Sequence, residues 1–498
     1  MIRILLALVL AAWLAVPAAA QTAGGDDRRR AAAAAQAMKA GHFDQAARLY
    51  RELLQTTPDA PGLLMNLGMA LAMGGREVEA IEPLERAVKG DATLVPAHLF
   101  LGSSYLALGE PAKAIPPLER ATAARPDDVE HRRMLAQAYV VAGRPVDAVT
   151  HLRRVTALAP SLPSGWYALG HAYNAVAQDA MSTFETEPDD SPWRQLLVAD
   201  ALLADGRLTD AFHNYRAALD ALPWMVPIRE SIARIYDQTG HADWAARERR
   251  SAAVSAADCA RHTALCEFRA HRYRPALIAA LRSKDVEARY WRVRASAELA
   301  LAAFNRLEKL PDSRERRETR AALARSARRY VDAIAETRAA LRFAPDDPDL
   351  LDDLGMAYYL ARDYEAAVTT LRPLVQANPS DPRLLTVTGE AFMQLQRTDE
   401  AIELLQRAVA LDPRDPTPGL ALGRAFLQKG RHDAAIPLIE PHLAGDRDGS
   451  MHVQLARAYT SRGDGDRAAA LLARAQELQR ESQERNAATA QRNITPPK

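Results

Sequence analysis

Cysteine, net charge and long apolar runs are all scarce in this sequence of 498 residues. The two cysteines, Cys259 and Cys266, allow at most one disulfide and lack the C-x-x-C pairs of a structural zinc site. The formal net charge is +1. Beyond the N-terminal segment no stretch is apolar enough to span a bilayer, so we expect no transmembrane segment in the mature chain.

The sequence also lacks the short motifs that identify common catalytic sites, such as H-E-x-x-H, G-x-S-x-G and a phosphate-binding loop. Asp446, Asp448 and Gly449 resemble the start of a calcium loop, but the later ligands are missing and Asp and Gly also favour turns. Arg462-Gly463-Asp464 lies at a predicted turn. We therefore predict a non-enzyme with no cofactor and no metal.

The N-terminus has the parts of a secretory signal peptide over residues 1–20. Arg3 precedes an apolar run, and Ala18 to Ala20 form a small-residue cleavage site before Gln21. An uncleaved membrane anchor is the alternative, although the run is short and Pro17 interrupts it. We expect cleavage after Ala20 and a periplasmic or secreted mature protein.

The remaining sequence contains an internal repeat with a period of 34 residues, marked by small residues and prolines in fixed columns. The columns include Ala46, Ala80, Ala114 and Ala148; Gly68, Gly102, Ala136 and Gly170; Pro58, Pro126 and Pro160; and, after an irregular middle, Ala333, Ala367, Ala401 and Ala435. A fixed period of this size predicts stacked structural repeats.

Each repeat contains two stretches with apolar residues at helical spacing. A glycine such as Gly109 or Gly143 separates the two stretches, and it predicts a turn with a positive φ. A proline near the end of the unit, as at Pro126, stops the second helix. A Gly or Ala inside the first helix lets a neighbouring helix approach closely.

These residues resemble the tetratricopeptide repeat family. The unit that begins at Val95 carries the preferred residues at positions 7, 8, 11, 20, 24, 27 and 32, namely Leu101, Gly102, Tyr105, Ala114, Leu118, Ala121 and Pro126. The resemblance implies an all-α, right-handed superhelical solenoid of about fourteen helix-turn-helix units. It also implies a scaffold that binds proteins or peptides.

The units divide the chain into an N-terminal array over 27–256, degenerate or short repeats over 257–313 and a C-terminal array over 314–482. A polar tail over 483–498 is expected to be disordered. The units that begin at residues 163 and 288 are short, and residues 167–189 contain no Gly turn. They are either two independently decayed repeats or the product of a block duplication.

In this family the first helices line a concave groove, so the resemblance assigns partner binding to positions 2, 5, 9, 12 and 13 of each unit. The candidate groove residues are Met65, Met69, Met73, Leu99, Leu106, Arg133, Gln137, Tyr167, His171 and Asn174. Flexible methionines suit varied apolar anchors. Ordinary packing against a neighbouring layer and Cu(I) binding by the thioethers are the alternatives. No three consecutive units carry the Lys and Asn set of a carboxylate clamp.

Cys259 and Cys266 lie in the most degenerate unit. Seven residues span about 10 Å along a continuous helix, so a disulfide requires a break in the helix between them. We favour a disulfide in an oxidising compartment. Free thiols, or a metal site completed by His262 and His271, are the alternatives.

Charge is concentrated in the middle of the chain, where residues 247–329 contain 21 Lys and Arg against 10 Asp and Glu. Such a stretch could hold an anionic polymer, or its arginines could simply be solvated. We therefore predict an exported, non-catalytic interaction scaffold, and a periplasmic adaptor in envelope or exopolysaccharide assembly is the alternative. Nucleic acid is not an expected partner for an exported protein, and no aromatic-interleaved basic motif accompanies the charge.

Overall fold

The computed structural model describes residues 25–252, 256–490 and 493–497, and these residues form helices joined by short turns without a β-strand. The predicted all-α repeat architecture is confirmed. The signal peptide predicted for residues 1–20 lies outside the described residues. None of the described helices combines the length and the apolar character needed to cross a bilayer.

The chain divides into two compact units, and each unit is built from two separate segments. Unit 1 comprises residues up to Glu187 together with Cys259–Leu310, and unit 2 comprises Pro188–Asp258 together with the chain from Pro311 onward. The predicted boundary at residues 256 and 257 falls close to one of these junctions. The junction after Glu187 was not predicted.

Unit 1 contains helices from both of its segments. They are α1 (Gly25–Lys39), α2 (Phe43–Thr56), α3 (Pro61–Met73), α4 (Glu77–Gly90), α5 (Val95–Ala107), α6 (Pro111–Ala124), α7 (Val129–Val141), α8 (Pro145–Leu158) and α9 (Pro163–Ser182). The short helix α14 (Ala256–Arg261) crosses the junction, and α15 (Thr263–Arg269), α16 (Tyr273–Ala280) and α17 (Val286–Glu308) follow it.

Unit 2 also has an earlier and a later group of helices. They are α10 (Pro192–Ala204), α11 (Leu208–Ala221), α12 (Val226–Gln238), α13 (Ala242–Arg250), α18 (Arg314–Ser326), α19 (Tyr330–Leu341), α20 (Pro348–Leu360), α21 (Tyr364–Ala377), α22 (Pro382–Gln394), α23 (Thr398–Leu411), α24 (Pro416–Gln428), α25 (His432–Ile439), α26 (Ser450–Ser461) and α27 (Gly465–Ala490). A 3₁₀ helix, Glu440–Gly445, follows α25.

The helix α27 corrects one sequence-based expectation. It continues to Ala490, so residues 483–490 are helical rather than disordered. The described part of the chain beyond this helix, residues 493–497, lacks regular secondary structure.

The turns between the paired helices share one backbone conformation. The turn glycines have φ between 69° and 82° at, for example, Gly109, Gly143 and Gly240. His271, Arg328, Arg362 and Gln396 adopt positive φ at other turns in spite of their side chains. The repeat geometry therefore dictates the left-handed turn even where the sequence has no glycine.

Within several helix pairs, a large side chain of the second helix packs against a glycine of the first helix. A Cβ atom at Gly68 would lie 2.4 Å from Cγ of Leu84, and one at Gly102 would lie 2.4 Å from Cγ of Leu118. Each leucine follows its glycine by sixteen residues and comes from the second helix of the same pair. Gly355 and Leu371 repeat the arrangement in unit 2.

The helix α9 forms the same contact with a helix that lies far away in sequence. A Cβ atom at Gly170 would lie 2.6 Å from the Phe304 ring, which α17 supplies. The two helices are antiparallel, since Arg306 lies over the ring of Trp166 (5.9 Å) and Arg289 pairs with Glu187 at 2.6 Å. The helix α17 thus acts as the second helix for α9.

This pairing explains why the units at residues 163 and 288 look incomplete in the sequence. Each supplies one long helix, α9 or α17, and the two helices together make one helix pair. Buried residues of both helices, such as Tyr173 and Ala300, belong to the same hydrophobic core of unit 1. The segment 188–258 lies between these two helices in sequence and belongs to unit 2.

The contact between Gly170 and Phe304 yields a prediction. Gly170→Ala should lower the free energy of unfolding by about 1–3 kcal/mol, because the new methyl group overlaps the Phe304 ring. Adding Phe304→Leu should recover part of the loss, since Ala136 and Leu152 occupy the corresponding positions of the preceding repeat. Urea unfolding of the single and double variants measures the coupling.

Gly419→Ala is the matched control, because no atom lies within 4 Å of a Cβ at this helical glycine. It should be neutral or slightly stabilising. Additive effects of Gly170→Ala and Phe304→Leu would show that the two residues do not pack against each other.

Candidate functional site

The ten residues predicted to line a groove do not form one accessible surface. Met69, Met73 and Leu99 are at most 6% exposed and belong to the hydrophobic core of unit 1. Met65 is half-buried and packs against the same core. These apolar residues stabilise the packing of α3 and α5, so the interpretation of the methionines as an open binding ladder does not fit their burial.

The accessible part of the predicted set lies on α5, α7 and α9. Leu106, Arg133, Tyr167 and Asn174 are half-buried, whereas Gln137 and His171 are exposed. The Arg133 guanidinium pairs with Glu130 at 2.6 Å. The predicted surface is therefore apolar at Leu106 and polar on α7 and α9.

Exposed apolar residues lie beside these polar groups. Val140 and Val141 at the end of α7 are 37% and 57% exposed, and Leu108, just after α5, is 38% exposed. We call Leu106, Leu108, Val140 and Val141 the α5–α7 apolar surface. The helices α5 and α7 are first helices of consecutive units and contact each other.

Aromatic side chains on α9 define the neighbouring polar region. The rings of Tyr167 and His171 lie 4.3 Å apart, and His171 packs edge-on to Phe304 at 5.4 Å. The pairing of α9 with α17 thus fixes the position of His171. Asn174 lies one turn further along α9.

A recurring hydrogen bond ties consecutive repeats together. The hydroxyl of Tyr105 donates to Glu85 at 2.5 Å, and that of Tyr139 donates to Glu119 at 2.5 Å. Burial, followed by these hydrogen bonds, raises the pKa of each tyrosine to about 12. Both hydroxyls remain protonated at neutral pH and act as structural donors.

The basic stretch over residues 247–329 is divided between the two units, and part of its charge is neutralised. In the described part of the chain, seven of its arginines pair with carboxylates that lie outside the stretch in sequence. These pairs are Arg249–Asp237, Arg289–Glu187, Arg314–Asp347, Arg317–Glu336, Arg320–Glu336, Arg325–Asp353 and Arg329–Asp332. The charge count along the sequence therefore overstates the positive charge available to an anionic polymer.

In the structure the sulfur atoms of Cys259 and Cys266 are bonded at 2.02 Å, with 5.5 Å between the two Cα atoms. The helical path breaks at His262, between α14 and α15, which brings the two cysteines together. His262 pairs with Glu287 at 2.9 Å. Among the described residues no group of three His, Cys, Asp or Glu side chains is arranged to hold a metal ion.

The calcium-like sequence at Asp446 forms a buried helix cap. The Asp446 carboxylate accepts hydrogen bonds from the backbone N–H of Gly449 (3.0 Å) and from the backbone N–H and Nδ1 of His452 (3.0 and 2.7 Å). Burial opposes ionisation, but the hydrogen bonds from His452 and Asp448 together outweigh it and hold the pKa of Asp446 below its usual value. The carboxylate oxygens are used within the turn.

Sequence reasoning missed a polar network on α11–α13. The Glu248 carboxylate is 1% exposed and pairs with Arg229 at 2.9 Å and Arg216 at 3.6 Å. Arg216 also donates to the hydroxyl of Tyr236 at 2.8 Å. The arginine at position 25 of its unit was not a sufficient signal, because Arg153 and Arg338 occupy the same position in other units.

Together, these features define a helical-repeat protein in which large side chains of one helix pack against small residues of its partner helix. No catalytic centre is evident among the described residues. Models of the tetratricopeptide repeat match residues 31–94, 101–163 and 353–416, and further repeat models match 392–452 and 452–484. The chain belongs to the tetratricopeptide repeat family. Repeats of this family serve protein–protein interaction in general.

One curated relative is the TPR repeat-containing thioredoxin TTL4 of Arabidopsis thaliana, which is 36% identical over 72 residues. The match covers 14% of this chain and 11% of that protein, so the chain spans about a ninth of the relative's length.

Solved structures also resemble the chain. MamA is 22% identical with a TM-score of 0.29, covering 39% of this chain and 90% of MamA. The TPR protein TTC0263 of Thermus thermophilus is 23% identical with a TM-score of 0.29, covering 36% and 97% of the two chains. A Naa15/Naa10 structure bound to HypK-THB is 16% identical with a TM-score of 0.30, covering 89% and 74%.

The buried Asp446 cap yields a pH-dependent prediction. Asp446→Asn should cost about 1–3 kcal/mol at neutral pH, because an amide cannot accept all three hydrogen bonds. The folded-state pKa is depressed, so this stabilisation is complete above the unfolded value of about 3.9 and is lost as the pH falls through the folded value. Urea unfolding from pH 7 down to about pH 3 checks the trend.

The control is Asp415→Asn, since Asp415 is exposed and its carboxylate accepts a hydrogen bond from the backbone N–H of Thr417 at 2.9 Å. This change should have little effect, because Asn caps helices about as well as Asp. A stability difference between Asp446→Asn and the parent that does not shrink in acid would contradict the assignment.

Proposed function

We propose that the protein is a non-catalytic scaffold that binds a protein or peptide partner along the first helices of unit 1. The observation that carries this proposal is the exposed α5–α7 apolar surface beside polar side chains on α7 and α9. At the corresponding positions two units earlier, Ala72 and Met73 are buried, and in the unit between them Leu106 is half-buried and Ala107 is exposed. The exposure of Val140 and Val141 is thus a local feature and does not recur in every repeat.

The chemistry of this surface favours an extended or helical segment with an apolar anchor. Val140 and Val141 offer apolar area, whose burial contributes about 25 cal/mol per Å². The carboxamides of Gln137 and Asn174 can donate to and accept from a peptide backbone. Arg133 is engaged by Glu130, so it contributes shape more than free charge.

We further propose that the mature protein functions outside the cytoplasm. The disulfide between Cys259 and Cys266 supports export, because such bonds persist mainly in oxidising compartments. The signal-like residues 1–20 support the same location. No contact in either unit favours the alternative of an anionic-polymer adaptor over a protein partner.

Val141→Asp should abolish partner capture, because it buries a charge against the partner's apolar anchor. Baits carrying Val141→Asp and the parent sequence would be compared by quantitative mass spectrometry of proteins cross-linked in the native envelope. Proteins retained by the parent should fall at least about tenfold with the variant, a change of about 1.4 kcal/mol.

Val78→Asp is the matched control, because Val78 is 72% exposed on α4, a second helix outside the proposed surface. It should retain the same partners as the parent. Equal retention by Val141→Asp and Val78→Asp would show that the partner binds elsewhere.

The export proposal predicts the mass of the purified protein. Protein from the native envelope should have the mass of a chain that begins at Gln21, and reduction should add the mass of two hydrogen atoms. Removing the bridge with Cys259→Ala should cost about 2–3 kcal/mol in the loop-entropy model. Intact-mass spectrometry checks both points, and an unprocessed N-terminus or two free thiols would contradict the proposal.

A further inference from the structure

In several repeats, the hydroxyl of a tyrosine at position 11 donates a hydrogen bond to a glutamate at position 25 of the preceding unit. This contact occurs three times, in the pairs Tyr105–Glu85, Tyr139–Glu119 and Tyr459–Glu440. A carboxylate accepts hydrogen bonds and cannot donate them when ionised, so these hydroxyls have no proton left for another acceptor.

The polarity of this contact is reversed at Tyr236. The position-25 residue of the preceding unit is Arg216, and its Nη2 donates to the Tyr236 hydroxyl at 2.8 Å. A guanidinium has no acceptor, so the hydroxyl must direct its own proton to another group. Arginine also occupies position 25 at Arg153, Arg338 and Arg372, opposite Tyr173, Tyr358 and Phe392. Arg338 and Arg372 lie over the rings of the residues that they face, at 5.5 and 5.6 Å, whereas Arg216 donates to the hydroxyl of Tyr236.

A backbone carbonyl near the C-terminal end of the described chain accepts this hydrogen bond. The Tyr236 hydroxyl donates to the carbonyl oxygen of Thr495 at 2.6 Å. Thr495 lies in the segment Asn493–Pro497, which lacks regular secondary structure and in which Ile494 and Pro497 are half-buried. Both partners of the hydrogen bond belong to unit 2.

The donor is held in place by buried groups. Glu248 fixes Arg216 and Arg229, and the ring of Tyr236 is fully buried between Phe212 (5.7 Å) and Trp244 (5.6 Å). Burial raises the pKa of Tyr236, which keeps the hydroxyl protonated at neutral pH. The hydroxyl is therefore a fixed donor that suits a peptide carbonyl.

We propose that helices α11–α13 form a peptide-docking site that recognises an extended, proline-containing segment through a backbone carbonyl, and that Asn493–Pro497 occupies it within the same chain. Thr495 precedes Pro496 and Pro497. Residues before proline favour extended conformations, and proline reduces the entropy lost on docking. The segment matches the geometry that the fixed donor requires.

Occupation by the chain's own segment makes the site self-blocked. A tethered segment acts at an effective concentration in the millimolar range, so an external peptide of the same kind must compete with it. The functional consequence of this inference, competition with an external peptide, rests on the proposed role in protein interaction. It concerns α11–α13 in unit 2, so it can fail while the partner surface on α5 and α7 stands.

A peptide-binding assay tests the proposal. The probe is a fluorescein-labelled peptide with the sequence of residues 491–498, and binding is followed by anisotropy to the chain from Gln21 with and without residues 491–498. The truncated protein should bind the peptide at least about tenfold more tightly than the full chain. Tyr236→Phe in the truncated protein should weaken binding about five- to tenfold, as expected for one lost hydrogen bond.

Tyr459→Phe is the matched control, because the Tyr459 hydroxyl donates to Glu440 at 3.0 Å. It should leave peptide binding unchanged. Thermal unfolding identifies any variant that has lost its fold. No binding to the truncated protein, or equal binding by Tyr236→Phe, would overturn the proposal.

Discussion

The close approach of two helices at a residue without a large side chain is the contact on which the rest of this structure depends. Where Gly68 meets Leu84, any added carbon atom would overlap the leucine. The contact sets how near the second helix lies to the first. Because each helix pair also packs on its neighbours, the same spacing passes from one repeat to the next.

This constraint depends on which side chains meet and not on how far apart they lie in the sequence. Gly170 receives Phe304 from a helix 134 residues away, and the pair keeps the antiparallel arrangement of a regular unit. Residues 188–258 can therefore separate the two helices of one pair in the sequence and form part of unit 2, together with the chain from Pro311 onward. A helix pair can therefore form even when its second helix comes from a much later part of the chain.

The sequence predicted the regular helix pairs well because their signals are local. Gly109 and Gly143 mark turns whose φ is positive, and Ala114 lies where a second helix packs closely. It did not predict the pairing of α9 with α17, because a fixed-period search looks for a partner only sixteen residues away. Ala300, Phe304 and Leu307 repeat the spacing of Ala148, Leu152 and Val155, and this was the available signal.

The candidate sites were harder to predict, because side-chain type does not determine exposure or pairing. Met69 and Met73 occupy groove positions of the family and yet are buried. The arginines of residues 247–329 look unpaired in the sequence, but their carboxylates come from distant helices, as in Arg325–Asp353. Arg216 occupies the position that Glu119 holds in another unit. Because its guanidinium donates to the Tyr236 hydroxyl and cannot accept, that hydroxyl donates its hydrogen bond to a different group.

The measurement that tests the central claim most directly is photo-cross-linking from position 304. With benzoylphenylalanine in place of Phe304, irradiation of the intact protein followed by peptide mass spectrometry should place the cross-link in α9, near Gly170 and His171. This result would show that α17 completes the helix pair of α9. Cross-links confined to residues 188–258, or to the turn that follows α17, would contradict the account.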